Sequence, residues 1–225
     1  MKNDASWYRQ LFDGFKNRRI LVIGDVMTDA YVWGQVDRIS PEAPVPVVMV
    51  KSRASRLGGA ANVALNIKAM GAVPLLCSVV GEDDRGADFM KTLRDEAITC
   101  EGIIKSPNRI TTTKFRIIGN NVQMLRVDEE VTHPLTQGDE NRLLQMINYM
   151  LIAEQPDAVI FQDYDKGVLT PGLIKLVIEK AREAGIPVAV DPKKNQFHEY
   201  RGASLFKPNF KELREGMGTN LPKGY

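Results

Sequence analysis

The stretch Leu57-Gly58-Gly59-Ala60-Ala61-Asn62-Val63-Ala64-Leu65 decides how the rest of the chain is interpreted. Two adjacent glycines open a segment that is apolar on nearly every side, which is typical of a helix in a protein interior. The start of such a helix presents free N–H groups and the positive end of the helix dipole, so it suits an anion or sugar hydroxyls. Gly58 and Gly59 allow a ligand to approach the backbone, and Asn62 lies in the first turn. Paired glycines are also common in turns, so a plain tight turn into a buried helix stays open.

Length and charge limit the class of protein. The chain has 225 residues, with 30 lysines and arginines, 28 aspartates and glutamates, and a net charge of +2. This length allows one large α/β domain or one domain with an appendage. The balanced charge argues against a nucleic-acid partner or binding to an anionic membrane. No apolar stretch approaches a membrane span and no signal core follows Met1, so we expect a cytoplasmic protein.

Cysteine and histidine usage disfavours several kinds of site. Cys77 and Cys100 have neither metal-ligand nor redox-motif spacing, and two cysteines in a chain of this size indicate a reducing compartment. His133 and His198 are the only histidines and lie far apart in the sequence. A zinc site built on histidines, or a Ser-His-Asp triad, is therefore disfavoured.

Strand-like and helix-like segments alternate along most of the chain. Short apolar runs predict strands at 20–23, 75–80, 158–161, 188–190 and 204–206. Periodicity and capping residues predict helices at 5–16 and 84–95, after Thr136, from Thr170-Pro171 to Gly185, and from about Asn209. This alternation is typical of α/β proteins with a mostly parallel sheet and helices on both faces.

Two further pairs of strand-like runs have a different texture. Runs 31–36 and 45–50 surround a proline-containing turn, and runs 111–118 and 122–127 flank Gly119-Asn120-Asn121, which is a hairpin signal. We expect these four runs to form a small β-layer outside the main sheet.

Polar residues follow the predicted strands of the main sheet. Asp25, Asp163 and Asp191 each come directly after a strand, and Lys207 and Asn209 follow the run that ends at Phe206. In sheets of this type ligands bind beyond the carboxyl ends of the strands, so we expect these groups along one rim. Loop residues are usually polar, and a single aspartate there would indicate little.

The motifs that are present favour phosphate chemistry over redox chemistry. The sequence has no G-x-G-x-x-G after its first strand and no G-x-x-x-x-G-K-[ST]. Carboxylates, amides and lysines without clustered histidine or cysteine suit hard cations such as Mg²⁺, often bound with phosphates. Asn209 and Glu212 are one helical turn apart, so either both face one cation or its waters, or Asn209 is a helix cap with Glu212 on the surface.

Seven stretches together carry a resemblance to a known family. They are Gly24-Asp25-Val26-Met27-Thr28-Asp29, Arg38-Ile39-Ser40-Pro41-Glu42-Ala43-Pro44-Val45-Pro46-Val47, Gly58-Gly59-Ala60-Ala61-Asn62-Val63-Ala64, Thr113-Lys114-Phe115-Arg116, Asp163-Tyr164-Asp165-Lys166-Gly167, Asp191-Pro192-Lys193, and Pro208-Asn209 with Glu212. From about residue 19 to residue 216 the chain resembles the ribokinase-like carbohydrate kinases, the PfkB family. The run 38–47 resembles, more narrowly, the heptose 7-phosphate kinase part of ADP-heptose synthesis proteins.

The resemblance implies an ATP-dependent kinase with Mg²⁺. Its expected reaction transfers the γ-phosphoryl group of ATP to the anomeric hydroxyl of D-glycero-β-D-manno-heptose 7-phosphate, towards ADP-heptose and the lipopolysaccharide core. It also implies one ribokinase-like domain over 1–225, incomplete at its C-terminus, with a lid formed by about 31–51 and 109–128. Lids in this family often form the dimer contact, so we expect a homodimer through the lid.

The same resemblance assigns residues to the sugar side of the site. Asp29 corresponds to the aspartate that binds sugar hydroxyls, with Asp25 nearby. Gly58, Gly59 and Asn62 correspond to the loop and helix start that contact the sugar.

Basic residues are the candidates for the phosphate of the sugar. Lys114 and Arg116, on the predicted hairpin, are the candidates for the 7-phosphate. Arg126 is a weaker candidate, which we interpret as part of a solvated strand face. Asp163 and Lys166 correspond to residues at the boundary between sugar and nucleotide.

The nucleotide side is expected near the end of the chain. Asn209 and Glu212 correspond to an N-x-x-E element that organises Mg²⁺ and phosphates, with the metal contact made through water. Asp191 and Lys207 are expected on the same side.

One family element has no counterpart in the sequence. The family carries a G-A-G-D motif that supplies an anion hole and the catalytic base, and no Gly-Ala-Gly-Asp occurs in these 225 residues. Loss of a general base typically costs about 10²–10⁴ in rate, and loss of anion-stabilising donors a further ~10²–10³. We therefore expect the base beyond Tyr225, and little or no activity from this chain alone. The nucleotidyltransferase part of the bifunctional proteins is also absent from the sequence.

Two other functions stay open. The first is a kinase of the same fold with another substrate, such as fructose 1-phosphate or ribose, although the run 38–47 argues against it. The second is a non-catalytic module for sugar-phosphate binding or dimerisation.

Overall fold

The structure, a computed structural model, describes residues 5–218, which form ten strands and six α-helices. The strands are β1 (Arg19–Gly24), β2 (Val26–Ile39), β3 (Pro46–Gly59), β4 (Val73–Gly81), β5 (Ile103–Ser106), β6 (Thr113–Gly119), β7 (Val122–Glu129), β8 (Ala158–Gln162), β9 (Val188–Asp191) and β10 (Leu205–Phe206). The helices are α1 (Ala5–Asp13), α2 (Ala60–Ala69), α3 (Asp84–Asp95), α4 (Gln137–Tyr149), α5 (Pro171–Glu183) and α6 (Phe210–Met217).

The main sheet has six strands in the order β10-β9-β8-β1-β4-β5, and every neighbouring pair is parallel. Strand β1 lies at its centre, where Leu21 pairs with Leu75 on one side and Val159 on the other. The prediction of an α/β fold with a mostly parallel sheet is confirmed. Strand β5 was missed, because four residues are too few to show a periodic pattern.

Both faces of the main sheet are covered by helices, as expected. On one face Leu21 and Ile23 of β1 pack in a layer with Leu143 of α4 and Ile174 of α5. On the other face Val22 belongs to a second cluster with buried residues of α2 and α3. Strand β1 therefore supplies apolar side chains to both cores, which explains its unbroken apolar run.

Several predicted helix caps are present. Thr136 and Thr170 accept hydrogen bonds from N–H groups in the first turns of α4 and α5, and Gly185 follows α5 with φ +70°. Helix α4 continues directly into a π-helical turn, Met150–Glu154, which the sequence did not indicate. Helix α1 is shorter than predicted and ends at Asp13, with its side chains exposed.

The small β-layer forms a four-stranded sheet in the order β3-β2-β6-β7, here called the small sheet. Its hairpin of β6 and β7 agrees with the prediction, but β2 and β3 are fourteen residues each, much longer than runs 31–36 and 45–50. The missed parts include 51–56 of β3, a polar and exposed segment that shows no buried face in the sequence. The two long strands return to the main sheet at Asp25 and at the start of α2.

Helix α2 corrects the expectation that this segment is enclosed on nearly every side in the protein interior. Ala60, Ala61, Ala64 and Ile67 are buried, as an interior helix requires, but Asn62 and the last residues of α2 are exposed. Alanine allows close packing against the sheet without making the opposite side apolar enough to need cover. No helix in the described part of the chain has the length and apolar character needed to cross a membrane.

Candidate functional site

The two glycines before α2 are required by close contacts. Gly59 has φ +60°, and a Cβ there would lie 2.3 Å from the backbone oxygen of Asp25. A Cβ on Gly58 would lie 2.9 Å from Oδ2 of Asp29. Helix α2 begins at this point without a side-chain cap. The glycines therefore bring the end of β3, two aspartates and a helix N-terminus into direct proximity.

A cleft of about 420 Å³ opens beside this helix start. Asp29 and Asn62, two of the predicted sugar-side residues, both line it. The remaining lining residues come from β2, β3, the helices α2 and α3 and the residue after α3: Tyr31, Ser55, Arg56, Leu57, Leu65, Thr92 and Glu96. The structure thus brings Asp29, Asn62 and the two glycines together. The carboxyl of Asp25 does not line the cleft and is bonded instead to the loop 163–168.

A row of alternating charge crosses the small sheet. Arg56 of β3 pairs in register with Asp29 of β2, Asp29 with Lys114 of β6, and Lys114 with Asp128 of β7. Residues in register on neighbouring strands share a face, so these four side chains lie side by side. The sequence suggested Asp29 and Lys114 separately but gave no sign that one row contains both.

The candidate phosphate ligands of the small sheet are engaged by carboxylates. Arg116 Nη1 lies 2.5 Å from Asp29 Oδ1, and Lys114 Nζ lies 3.0 Å from Asp128 Oδ2. Arg126 pairs with Asp128 and is largely exposed, in agreement with its interpretation as a residue of a solvated face.

Glu130 joins the small sheet to the main sheet and was missed in the sequence. Its Oε1 lies 2.7 Å from Lys166 Nζ and its Oε2 lies 3.1 Å from Lys114 Nζ. Partial burial would raise the pKa of Glu130, but the hydrogen bonds from Lys166 and Lys114 outweigh it and hold the pKa below its usual range. Glu130 is the residue directly after the end of β7 and lies outside the motifs quoted above, so the sequence carried no signal for it.

Asp25 is a buried structural hub. Its side chain is 1% exposed, and Oδ2 accepts hydrogen bonds from the N–H groups of Tyr164 (2.8 Å) and Lys166 (3.2 Å) while Oδ1 accepts from Val168 (3.1 Å). Its backbone oxygen also accepts from the first N–H of α2. Burial raises the pKa of Asp25 to about 6, against the opposing effect of these hydrogen bonds. Asp25 therefore ties the loop 163–168 to the start of α2.

Asp163 is also held by protein donors. Oδ1 accepts from the N–H of Asp165 (2.8 Å), and Oδ2 accepts from the hydroxyl of Tyr200 (2.8 Å) and, at 3.4 Å, from the N–H of Lys193. Burial raises the pKa of Asp163. Both Asp25 and Asp163 stand at the sheet rim as predicted, but with their oxygens turned into the protein.

The rest of the rim lies beyond β9 and β10. Asp191 accepts hydrogen bonds from Gln162 (2.9 Å) and from Lys207 (3.2 Å). Asp25, Asp163, Asp191 and Lys207 thus follow four neighbouring parallel strands, which confirms that they share one rim.

Asn209 and Glu212 form a capping box at the start of α6. The N–H of Glu212 donates to Asn209 Oδ1 (2.9 Å), and the N–H of Asn209 donates to Glu212 Oε2 (2.8 Å). The other carboxylate oxygen, Oε1, is bonded to Lys193. Glu212 is 6% exposed, so it is not the surface residue of the simple helix-cap interpretation. Lys193 belongs to a quoted motif but was not among the candidate site residues.

Comparison with known proteins gives close relatives. The chain is 46% identical over 204 residues to the bifunctional protein HldE of Caulobacter vibrioides, covering 91% of this chain and 41% of that protein. It is 45% identical over 202 residues to the HldE of Wolinella succinogenes, covering 90% and 42%. The chain therefore spans about two fifths of the length of these curated relatives.

Solved structures share the fold at low sequence identity. The tetrameric inhibited form of Escherichia coli phosphofructokinase-2 aligns with a TM-score of 0.68 at 16% identity, covering 92% of this chain and 66% of that one. Arabidopsis thaliana ribokinase, complexed with ribose and ATP, aligns with a TM-score of 0.61 at 17% identity, covering 90% and 63%. These likenesses establish a ribokinase-like fold.

The family model for pfkB family carbohydrate kinases matches residues 17–223, nearly the whole sequence. This match agrees with the parallel sheet, the glycine-opened helix and the bifunctional relatives. The chain belongs to the pfkB family of carbohydrate kinases.

Proposed function

We propose that this chain is the sugar-binding part of a kinase that phosphorylates the anomeric hydroxyl of D-glycero-β-D-manno-heptose 7-phosphate, in the synthesis of ADP-heptose for lipopolysaccharide. The observation that carries the proposal is the cleft in which Asp29 and Asn62 meet at the uncapped start of α2. The HldE relatives support the choice of a heptose phosphate over other sugars. The reaction takes place in the cytoplasm, where ATP is available.

Asp29 and Asn62 bind and orient the sugar. Within residues 5–218 Asp29 uses Oδ1 for Arg116 and makes no protein hydrogen bond through Oδ2, so this oxygen accepts from sugar hydroxyls. Asn62 contributes both a donor and an acceptor from the first turn of α2. The glycine at position 58 keeps a side chain away from the Asp29 carboxylate. A charged acceptor in a partly enclosed cleft gives the stronger class of hydrogen bond.

The rim beyond β9 and β10 faces the nucleotide in this proposal. Lys207 and Lys193 supply positive charge beside Asp191 and Glu212, and they suit the phosphates of ATP. Both oxygens of Glu212 are engaged by protein donors, so Asn209 and Glu212 fit Mg²⁺ only indirectly, through water. The metal, when bound with ATP, neutralises charge on the transferred phosphoryl group.

The small sheet acts as the lid of the site. Lys114 and Lys166 connect it to the loop 163–168 through Glu130, which gives the lid a polar contact with the sugar-to-nucleotide boundary. A lid that closes over the sugar excludes water, which competes as a phosphoryl acceptor. Its other face carries apolar residues such as Leu125 and Val127, which fit a homodimer contact.

The catalytic base is not among the rim aspartates in this proposal. Asp25 and Asp163 are buried and bonded to protein donors, so neither is free to take a proton from a sugar hydroxyl. A base supplied by a G-A-G-D segment in a longer protein completes the site. We therefore propose that the 225-residue chain binds the sugar phosphate but has little activity alone.

The experiment is an assay of ADP release with MgATP and heptose 7-phosphate. The 225-residue chain is compared with a protein extended to the end of its natural reading frame, each with and without Asp29→Asn. We expect turnover by the longer protein and not by the 225-residue chain, with Asp29→Asn raising the KM for heptose 7-phosphate about 10- to 100-fold. Comparable turnover by the short chain contradicts the assignment of the base, and Asp25, Asp163 and Asp191 are then tested individually.

The same assay separates the other functions. Faster turnover of fructose 1-phosphate or ribose identifies a kinase with another substrate. Binding of heptose 7-phosphate without ADP release from the longer protein identifies a non-catalytic sugar-phosphate module.

A further inference from the structure

Three of the cations around the cleft already form ion pairs with carboxylates. Arg116 is paired with Asp29, and Lys114 is paired with both Asp128 and Glu130. Lys166 shares Glu130 with Lys114. A phosphate group that approaches any of these three cations therefore meets a positive charge that a carboxylate already balances.

Arg56 is different, because no carboxylate within residues 5–218 lies at ion-pair distance from it. It lines the cleft together with Asp29 and Asn62 and stands directly across the β2–β3 pair from Asp29. Glu96 lines the same cleft but does not pair with Arg56. Arg56 is thus the cation of this cleft whose charge is available to a ligand.

The guanidinium of Arg56 is also held in place. Its central carbon lies 5.3 Å from the ring centroid of Tyr31, and that of Arg116 lies 5.2 Å from the same centroid. Stacking of a guanidinium on an aromatic ring leaves the N–H groups at its edge free for hydrogen bonds. A planar fork of N–H donors matches two oxygens of a phosphate group, which gives a specific and strong contact.

We propose that Arg56 binds the phosphate group of the sugar phosphate and so determines specificity for phosphorylated sugars. This inference rests on the proposed function for the identity of the sugar, and it replaces Lys114 and Arg116 as the principal phosphate ligands. Gly59 lies three positions after Arg56, roughly 10 Å along a strand. A substrate lying along the end of β3 then has its phosphate at Arg56 and its other end near the rim.

The test compares Arg56→Gln with Arg53→Gln. Arg53 lies on the same strand, is exposed, and alternation places it on the opposite face. Calorimetric titration with heptose 7-phosphate, unphosphorylated heptose and inorganic phosphate measures affinity in the 225-residue chain. We expect Arg56→Gln to weaken heptose 7-phosphate binding about 10- to 100-fold, as for loss of a charged hydrogen bond. Binding of unphosphorylated heptose stays within about twofold, and Arg53→Gln has no effect on either sugar.

Three results overturn the inference. An equal loss for both sugars in Arg56→Gln indicates a structural role, and selective loss in Lys114→Gln but not in Arg56→Gln assigns the phosphate to Lys114. Failure of the unaltered chain to bind either heptose 7-phosphate or inorganic phosphate overturns it as well, whatever the longer protein does in the ADP-release assay.

The outcome is separable from that of the proposed function. Phosphate-selective binding that depends on Arg56, with no ADP release from the longer protein, leaves the inference standing and removes the kinase proposal. ADP release with an unchanged KM in Arg56→Gln does the reverse.

Discussion

Arg116 of β6 forms a diagonal ion pair with Asp29 of the neighbouring strand β2, with its Nη1 2.5 Å from Asp29 Oδ1. The direct neighbour of Asp29 in the β2–β6 pair is Lys114, so the ion pair is not a consequence of register alone. The hydrogen bond with Asp29 raises the pKa of Arg116. By holding one oxygen of the carboxylate, Arg116 fixes the direction in which the other oxygen faces the cleft.

This pair gives a prediction about sugar affinity. Asp29→Asn removes the charged acceptor and is expected to weaken sugar binding about 10- to 100-fold. Arg116→Gln leaves the acceptor but frees its orientation, and we expect a loss of about 3- to 10-fold. In the Asp29→Asn background the loss from Arg116→Gln shrinks, because the residues act through one carboxylate. Calorimetric titration of the three variants provides the cycle.

Arg126→Gln is the matched control for this cycle. Arg126, on β7, pairs in register with Arg116 but is largely exposed, and within residues 5–218 its side chain bonds only to Asp128. Its substitution should leave affinity within about twofold. Additive losses in the Asp29 and Arg116 variants would mean that Arg116 contacts the sugar by itself.

The sequence predicts the scaffold of this site better than its contacts. The rim aspartates and the glycine-opened helix were placed correctly, because strand ends and glycine positions follow from local rules. The charged row through Arg56 and Asp29 was not foreseen. It depends on the register of β2 with β3, and their polar segment 51–56 has no buried face to indicate a strand.

Side-chain partners are harder still to predict, since they depend on burial. Asp25 and Asp163 look alike in the sequence as polar residues after strands, and both prove to be acceptors for buried donors. Glu130 lies outside every motif, and only its position between Lys114 and Lys166 reveals it.

From the raised pKa of Asp25 we expect an unusual dependence of the free energy of unfolding on pH. Burial raises its folded pKa from 3.8 to about 6, so folding takes up a proton between these values. The contribution of Asp25 is fully present below pH 3.8 and is lost as the pH rises through about 6. Asp25→Asn cannot titrate and turns an amide donor towards backbone N–H groups, so it is less stable than the unaltered chain. The deficit, which is the free energy of unfolding of the unaltered chain minus that of Asp25→Asn, is expected to shrink by about 2 kcal/mol between about pH 4.5 and 7.5.

Urea unfolding followed by tryptophan fluorescence measures this deficit. Asp157→Asn is the control, because the N–H of Arg19 and the side chain of Arg18 hold the pKa of Asp157 below its usual value. The contribution of Asp157 has the opposite sign: it is present above the unfolded pKa and lost at lower pH. A deficit of Asp25→Asn that grows towards pH 7.5 would contradict the raised pKa of Asp25.

Glu130 predicts a link between the small sheet and the loop 163–168. Glu130→Gln keeps the shape of the side chain but removes the charge shared by Lys114 and Lys166. The group is partly exposed, so we expect the free energy of unfolding to fall by less than about 1 kcal/mol. Amide exchange in β6 and β7 should rise about 3- to 10-fold, because the tie to the main sheet is weakened. Hydrogen exchange with mass spectrometry measures these rates, with the adjacent Glu129→Gln as control. Equal exchange rates in the two variants would contradict the link through Glu130.

The apolar face of the small sheet predicts a dimer. Leu125 pairs in register with Ile117, and alternation places both on the face opposite Lys114 and Arg116. Leu125 is 56% exposed, and a second copy of the chain would bury it together with Val127. Sedimentation equilibrium should therefore give about twice the 25.1 kDa chain mass for the unaltered protein. Leu125→Glu should give a monomer, while Ile152→Glu, at a 77% exposed site outside the small sheet, should remain dimeric. A monomeric unaltered chain, or a dimer that withstands Leu125→Glu, excludes this face as the contact.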